Sequence, residues 1–344
     1  MSLSRIAAFS LIALMIAVPA RAEPTGLGEA VRLAGSPRLA GYVLTDPDLP
    51  APVREAGGRL LSLIGHGPDR TPGEGAFSVS PFLRYDQNLN GGFPDDHVTV
   101  GGYRFEIGEA DQAVAGPIAG ATLSYGWRAG LGGGTALEVR SALTLGHALQ
   151  HDLMKISFGV EGCLRHMARR DLYLHACVDA GGSRYELGRS ERVAARVGVS
   201  RLMTGLGGAH ELTLEGRLER NLGASPYERG VISASLLSAM PGPVVWSARA
   251  ELGQPVEGVL VTRARVQIGA TIKLMDRPTT VSVDWRLAKG GLFLGEPRED
   301  RSVTLSLSRP VTDRVRVSVA FNRNRSTAAP YDRDSVDLGV SLRF

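Results

Sequence analysis

From Phe77 to Phe344 apolar and polar residues alternate in segment after segment, with short turn-forming stretches between them. In Val259–Leu274, Leu260, Ala264, Val266, Ile268, Ala270, Ile272 and Leu274 share one face with Thr262. The other face carries Arg263, Arg265, Gln267, Gly269, Thr271 and Lys273. His210–Arg220 sets Leu212, Leu214 and Leu218 against Glu211, Thr213, Glu215, Arg217 and Glu219. The last segment sets Val336, Leu338, Val340, Leu342 and Phe344 against Ser335, Asp337, Ser341 and Arg343. A period of two predicts strands. Many of the segments run to about 9–12 residues, longer than the ordinary strand and matched to a tilted strand that crosses a bilayer. One apolar face and one charged face mean that each strand separates lipid from water. Backbone groups in lipid need internal partners, which a sheet supplies only when it closes into a barrel. A soluble sandwich or solenoid shares the alternation but not the strand length.

The expected fold is therefore an all-β, antiparallel up-and-down transmembrane barrel over residues 76–344. Fifteen strand-like segments can be marked, among them Phe77–Gln87 and Val98–Ile107. Short connections such as Leu131–Gly134, Met203–Ala209 and Met275–Pro278 alternate with longer ones such as Gly182–Ser190, Ala288–Asp300 and Arg323–Asp334. Barrels of this class have short periplasmic turns and longer outer loops. An odd count would leave the two ends of the barrel on opposite sides, so fourteen strands are expected, with sixteen as the alternative. The misfit lies in Phe77–Ile107, where Asn88–His97 is a long connection on the nominally periplasmic side. Residues 23–75 have a different pattern. Gly28–Ala34 and Val53–Ile64 have helical spacing, and the Pro/Gly stretch Gly65–Gly75 reads as a linker, so a short periplasmic helical segment should precede the barrel.

The N-terminus sets the compartment. Arg5, the apolar run Ile6–Val18 and Ala20-Arg21-Ala22 form a secretory signal with cleavage expected after Ala22. All but three of the 39 basic residues are arginine, and they are dispersed, which argues against nucleic acid as a partner. The two cysteines exclude a disulfide-dense scaffold and a four-cysteine metal site. Cys163 and Cys177 flank a hairpin centred near Arg170, which sets them opposite each other and within bridging reach; a shifted register would leave two thiols. Neither a G-x-S-x-G elbow nor an HExxH motif occurs, so no catalytic residue, metal or cofactor is expected. The expected lumen lining includes Glu215, Arg217, Arg263, Arg265, Lys273 and Asp284. Mixed charges of this kind build either a charged pore or a cross-braced interior. The C-terminal Phe344 resembles the signal read by the barrel assembly machinery. The expected partners are that machinery and outer-membrane lipid.

The stretch Ser80–Gly91 ends in Asp86-Gln87-Asn88-Leu89-Asn90. It resembles the opening strand of the surface lipoprotein assembly modifiers, with the match at Asp86, Asn88, Leu89 and Asn90. Ala115–Gly130 resembles the next landmark of that family. The resemblance implies an outer-membrane barrel of about 14 strands that helps a lipoprotein or secreted client reach the cell surface. Members also carry a periplasmic tetratricopeptide domain, whereas residues 23–75 hold at most one such repeat and lack its signature. Two function classes follow: assisted delivery of a client, or a porin-like diffusion channel. Leu292-Phe293-Leu294, read as part of an outer loop, is a candidate client contact.

Overall fold

A computed structural model of the chain describes residues 24–342, apart from 101–102 and 224. The signal segment, its cleavage point after Ala22, and Phe344 lie outside the described residues. Three helices come first: α1 (Pro24–Ala34), α2 (Pro37–Leu44) and α3 (Ala51–Leu63). The strands follow in chain order. They are β1 (Arg70–Asp86), β2 (His97–Val100), β3 (Tyr103–Glu106), β4 (Gly116–Gly132), β5 (Thr135–Ala148), β6 (Met154–Arg169), β7 (Leu172–Tyr185) and β8 (Gly188–Gly205). Then come β9 (Gly208–Asn221), β10 (Tyr227–Met240), β11 (Val244–Gly253), β12 (Val261–Leu274), β13 (Arg277–Phe293), β14 (Glu296–Pro310), β15 (Val315–Ser326) and β16 (Arg333–Leu342).

β1 and β4–β16 form a closed barrel of fourteen strands, each antiparallel to its neighbours. The extra segment of the sequence count is Val98–Ile107. It belongs to a separate hairpin, β2–β3, inside the 87–115 connection. Its alternation is real, but only four residues pair on each arm. The 87–115 connection therefore lies at the end opposite the short turns, which corrects its assignment to the short-turn side.

Two other expected loops are strand. Gly182–Ser190 is the tip of β7–β8, and Ala288–Asp300 is the tip of β13–β14, each closed by a tight turn. Leu292 and Phe293 are therefore strand residues, and Leu294 turns the chain with φ of 52°. These tips rise past the height at which one face is apolar. With both faces wet, the period-two signal fades although pairing continues. The barrel wall also begins earlier than expected, at Arg70, inside the Pro/Gly stretch 65–75; a register shift between Thr71 and Glu74 absorbs Pro72 and Gly73.

The outward faces form an apolar belt that includes Leu218, Ile232, Leu252, Leu305 and Leu338, all exposed. Trp246 and Trp285 also point outward. Only lipid makes such a surface favourable, since monomeric soluble proteins seldom expose a continuous apolar patch of this extent.

The helices pack on the inner face of β8–β11 at the short-turn end. Ala30, Val31 and Leu39 are buried against Tyr173, Leu202, Ala209 and Ala239. The inward positions that carry charge at mid-height are thus apolar where a helix covers them. α2 is a helix the spacing did not reveal. Ser36 caps it by accepting from the Leu39 N–H, and Pro37 starts it. Gly41 lets α2 approach α3, because a Cβ there would lie 2.4 Å from a Leu61 methyl.

Cys163 and Cys177 are direct cross-strand partners on β6 and β7, 4.1 Å apart at Cα, and are bridged. The bridge closes a short hairpin loop, with a sequence separation of 14. Its loss in a Cys163→Ser/Cys177→Ser double variant is expected to cost about 3 kcal/mol. The measurement is the urea midpoint of the refolded barrel in detergent; an unchanged midpoint would show that the barrel closure already holds the hairpin.

Candidate functional site: the lumen and its two closures

Side chains on the inner wall are organised as ion clusters on β4–β11. Glu138 is buried on β5 and takes Arg128 at 2.8 Å, Arg165 at 3.0 Å and Arg140 at 3.3 Å. Arg196 on β8 contacts Glu161 and lies 3.8 Å from Asp179 and 3.7 Å from Glu215. Glu219 sits between Arg217 at 3.1 Å and Arg229 at 2.5 Å, and Arg249 pairs with Glu251 at 3.3 Å. In a lumen of restricted water such pairs brace neighbouring strands and also cancel each other's field.

Of the six residues singled out from the sequence, Glu215 and Arg217 belong to these clusters, and Arg263, Arg265, Lys273 and Asp284 lie on β12 and β13. Glu215 meets His175 at 3.2 Å as well as Arg196. Arg217 also reaches Glu251 at 3.6 Å. Arg265 and Asp284 pair at 2.6 Å. Arg263 donates from Nε to the Gly253 carbonyl at 3.0 Å. Lys273 leaves the wall to contact Glu29 of α1 at 2.8 Å.

The short-turn end is closed on one side by the helices. Arg38 and the Ser36 hydroxyl both engage Glu211 of β9. Arg170 donates to the Thr45 carbonyl at 2.6 Å and covers the Tyr42 ring. The chain then crosses to the β4–β5 turn, where His66 donates from Nδ1 to the Gly134 carbonyl at 2.9 Å and packs edge-on against Tyr173. Spacing did not identify Ser36, Arg38 or His66; the only trace in the sequence is the Ser36-Pro37 cap pair.

Burial pushes the His66 imidazole below its usual value, helped by the Arg38 charge and opposed by the Gly134 hydrogen bond. The neutral ring is the bound form, so an unfolded or undocked segment takes up a proton more readily. Docking is then fully stable above about pH 6.5 and weakens as pH falls below it. Limited proteolysis of residues 24–66 should accelerate below that point, and a His66→Gln variant should lose the dependence.

The opposite mouth is narrowed by the 87–115 connection, and the Asp-x-Asn-Leu-Asn residues are what fold it inward. Asp86 holds Lys155 of β6 at 2.7 Å. Asn88 donates to the Gly92 carbonyl. Leu89 is buried with Ile118 and Ala148. Asn90 accepts from the Gly92 and Val114 N–H groups and donates to the Gln112 carbonyl, while its own carbonyl accepts from Leu187 N–H of the β7–β8 turn. Beyond it, Phe93 stacks on Phe293, and Tyr331 meets both rings edge-on. One connection thereby ties three hairpin tips together. Asn90→Ala removes three side-chain hydrogen bonds at a nearly buried site and is expected to loosen the connection by about 2 kcal/mol. Faster deuterium uptake in 87–115, with the wall strands unchanged, is the expected reading.

Between the closures the lumen stays open along one wall. A cavity of about 510 Å³ lies beside α2, lined by Arg38, Glu211, Arg249 and Gln267 among others. A second, of about 540 Å³, runs along β12–β16 to the far mouth, lined by Gln267, Asp284, Arg286, Asn322 and Tyr331 among others. Gln267 lines both. Among the described residues, no group of three or more His, Cys, Asp and Glu is placed to hold a metal ion.

The closed sheet, its lipid-facing belt and its charged interior define an outer-membrane β-barrel. No family model matches the chain, and no curated protein matches it. Solved structures do. OccAB1 of Acinetobacter baumannii aligns at 8% identity and a TM-score of 0.43, covering 79% of this chain and 96% of that one. OccK9 (OpdG) of Pseudomonas aeruginosa aligns at 12% identity and a TM-score of 0.40, covering 78% and 97%. A BenF-like porin of Pseudomonas fluorescens aligns at 7% identity and a TM-score of 0.40, covering 79% and 98%.

Proposed function

We propose that the protein is a narrow diffusion channel that passes small hydrophilic solutes across the outer membrane. The observation that carries this reading is the pair of cavities that share Gln267 in their lining, one beside α2 and the other along β12–β16 toward the far mouth. A barrel of more than about eight strands leaves space that side chains alone do not fill. Here the helices take up the β8–β11 side of that space and leave β12–β16 lined by hydroxyls, amides and charges. The helices and both chain ends face the periplasm in this reading, consistent with the short turns at that end. Purified full-length protein in planar bilayers should give discrete conductance steps in potassium chloride; a silent, correctly folded barrel would overturn the reading.

Assisted delivery of a client, as in the surface lipoprotein assembly modifiers, is a second reading with one observation in its favour. Among the described residues the β1–β16 seam has only three registered pairs, Phe82 with Ser341 through Arg84 with Gly339. β1 and β4 pair along nearly the whole length of β1. Among the described residues the β1–β16 seam is the shortest registered seam in the wall. Surface labelling of intact cells with and without the gene tests this reading. Loss of a named lipoprotein from the surface at constant total amount supports delivery, and an unchanged surface speaks against it.

A further inference from the structure

The two halves of the inner wall differ in how their arginines are neutralised. On β4–β11 the arginines at mid-height, Arg128, Arg140, Arg165, Arg196, Arg217 and Arg249, each contact a carboxylate. On β12–β16 the carboxylates are largely spent. Asp284 is held by Arg265 and Asp300 by Arg298. Among the described residues, Arg263 and Arg316 reach only the Gly253 carbonyl and the Ser308 hydroxyl. Arg286 and Arg333 line the larger cavity, are exposed to it, and reach no carboxylate within ion-pair distance among the described residues. Against these four, among the described residues, stands one inward acid without an ion-pair partner, Asp337. The half that the helices leave open is thus the half with surplus positive charge.

Resting on the channel reading, we infer that the open path along β12–β16 selects small hydrophilic anions, with Arg286 and Arg333 as its recognition charges. The physics is that of a narrow polar cleft with low-dielectric walls, which concentrates the counter-ion of its fixed charge. The neighbouring Asn322, Asn324, Ser302 and Thr304 supply polar contacts that replace water around a partly stripped anion. The acids of the 87–115 connection do not reverse this sign at the constriction. Asp95, Asp96, Glu106, Glu109 and Asp111 are solvent-exposed, and salt screens the field of an exposed charge within about 8–10 Å.

The test uses the full chain in planar bilayers under a potassium chloride gradient. The expected reversal potential has the sign of chloride preference, with chloride over potassium about threefold or more. Arg286→Gln/Arg333→Gln should bring the ratio close to one while discrete conductance persists. Wild-type channels that conduct without preference, or that prefer potassium, overturn the selectivity and leave the channel standing. No conductance from folded protein overturns the channel and the selectivity with it. If the double variant fails to assemble, as shown by lost heat-modifiable migration, Arg333→Gln alone and the wild-type sign decide the matter.

Discussion

Removing residues 24–66 is expected to raise single-channel conductance several-fold. The helices occupy the β8–β11 side of the short-turn mouth, and nothing else described in the chain fills that volume. Their attachment is polar at the ends and apolar in the middle: Arg38 and Ser36 on Glu211, Lys273 on Glu29, Arg170 on Thr45, and Ala30, Val31 and Leu39 on the wall. Deletion exposes Tyr173 and Leu202 to a wet lumen at a modest cost in stability, because the strand pairing that closes the barrel does not pass through the helices. A gentler version is Arg38→Ala, which leaves Glu211 buried beside only the Ser36 hydroxyl and should produce brief openings to the larger state. Equal conductance in the deleted and complete chains would show that the narrow point lies at the 87–115 connection instead.

Glu138→Leu is expected to be the most destabilising single change in the wall. Glu138 is 5% exposed and is the shared partner of Arg128, Arg140 and Arg165. Its removal leaves three guanidinium groups on adjacent strands repelling one another with no counter-charge. Breaking a buried pair from one side costs about 3–5 kcal/mol, and the lower end applies here because Arg140 remains largely solvated. The readout is the urea midpoint of refolded barrel. Adding Arg165→Met to the same chain should recover part of the loss, since the stabilising partner and one of the stranded charges then go together. A loss below about 1 kcal/mol would mean that lumen water screens the cluster as it would at an open surface.

The barrel was legible in the sequence wherever one face of a strand meets lipid. Leu212, Leu214 and Leu218 against Glu211, Glu215 and Arg217 leave no other arrangement that satisfies both faces. The opposition of Cys163 and Cys177 followed from counting back from Arg170, since an antiparallel hairpin fixes register once its turn is placed. The pattern failed where that asymmetry of solvent ends. The tips of β7–β8 and β13–β14 look like loops because water bathes both faces, and β2–β3 looks like a wall strand because alternation alone does not say what a hairpin pairs with.

Alternation by itself therefore determined the class of fold, the wall strands at membrane height and the sign of each face, because burial in lipid acts on every second residue independently of the rest of the chain. What only the tertiary structure decided is the state of the lumen. Whether Arg265 meets Asp284, whether Arg286 lacks an ion-pair partner among the described residues, and whether α2 enters the mouth to place Arg38 on Glu211 all depend on side chains far apart in sequence that closure of the barrel brings within a few ångströms. Charge pairing is a property of distance, and no local pattern records it.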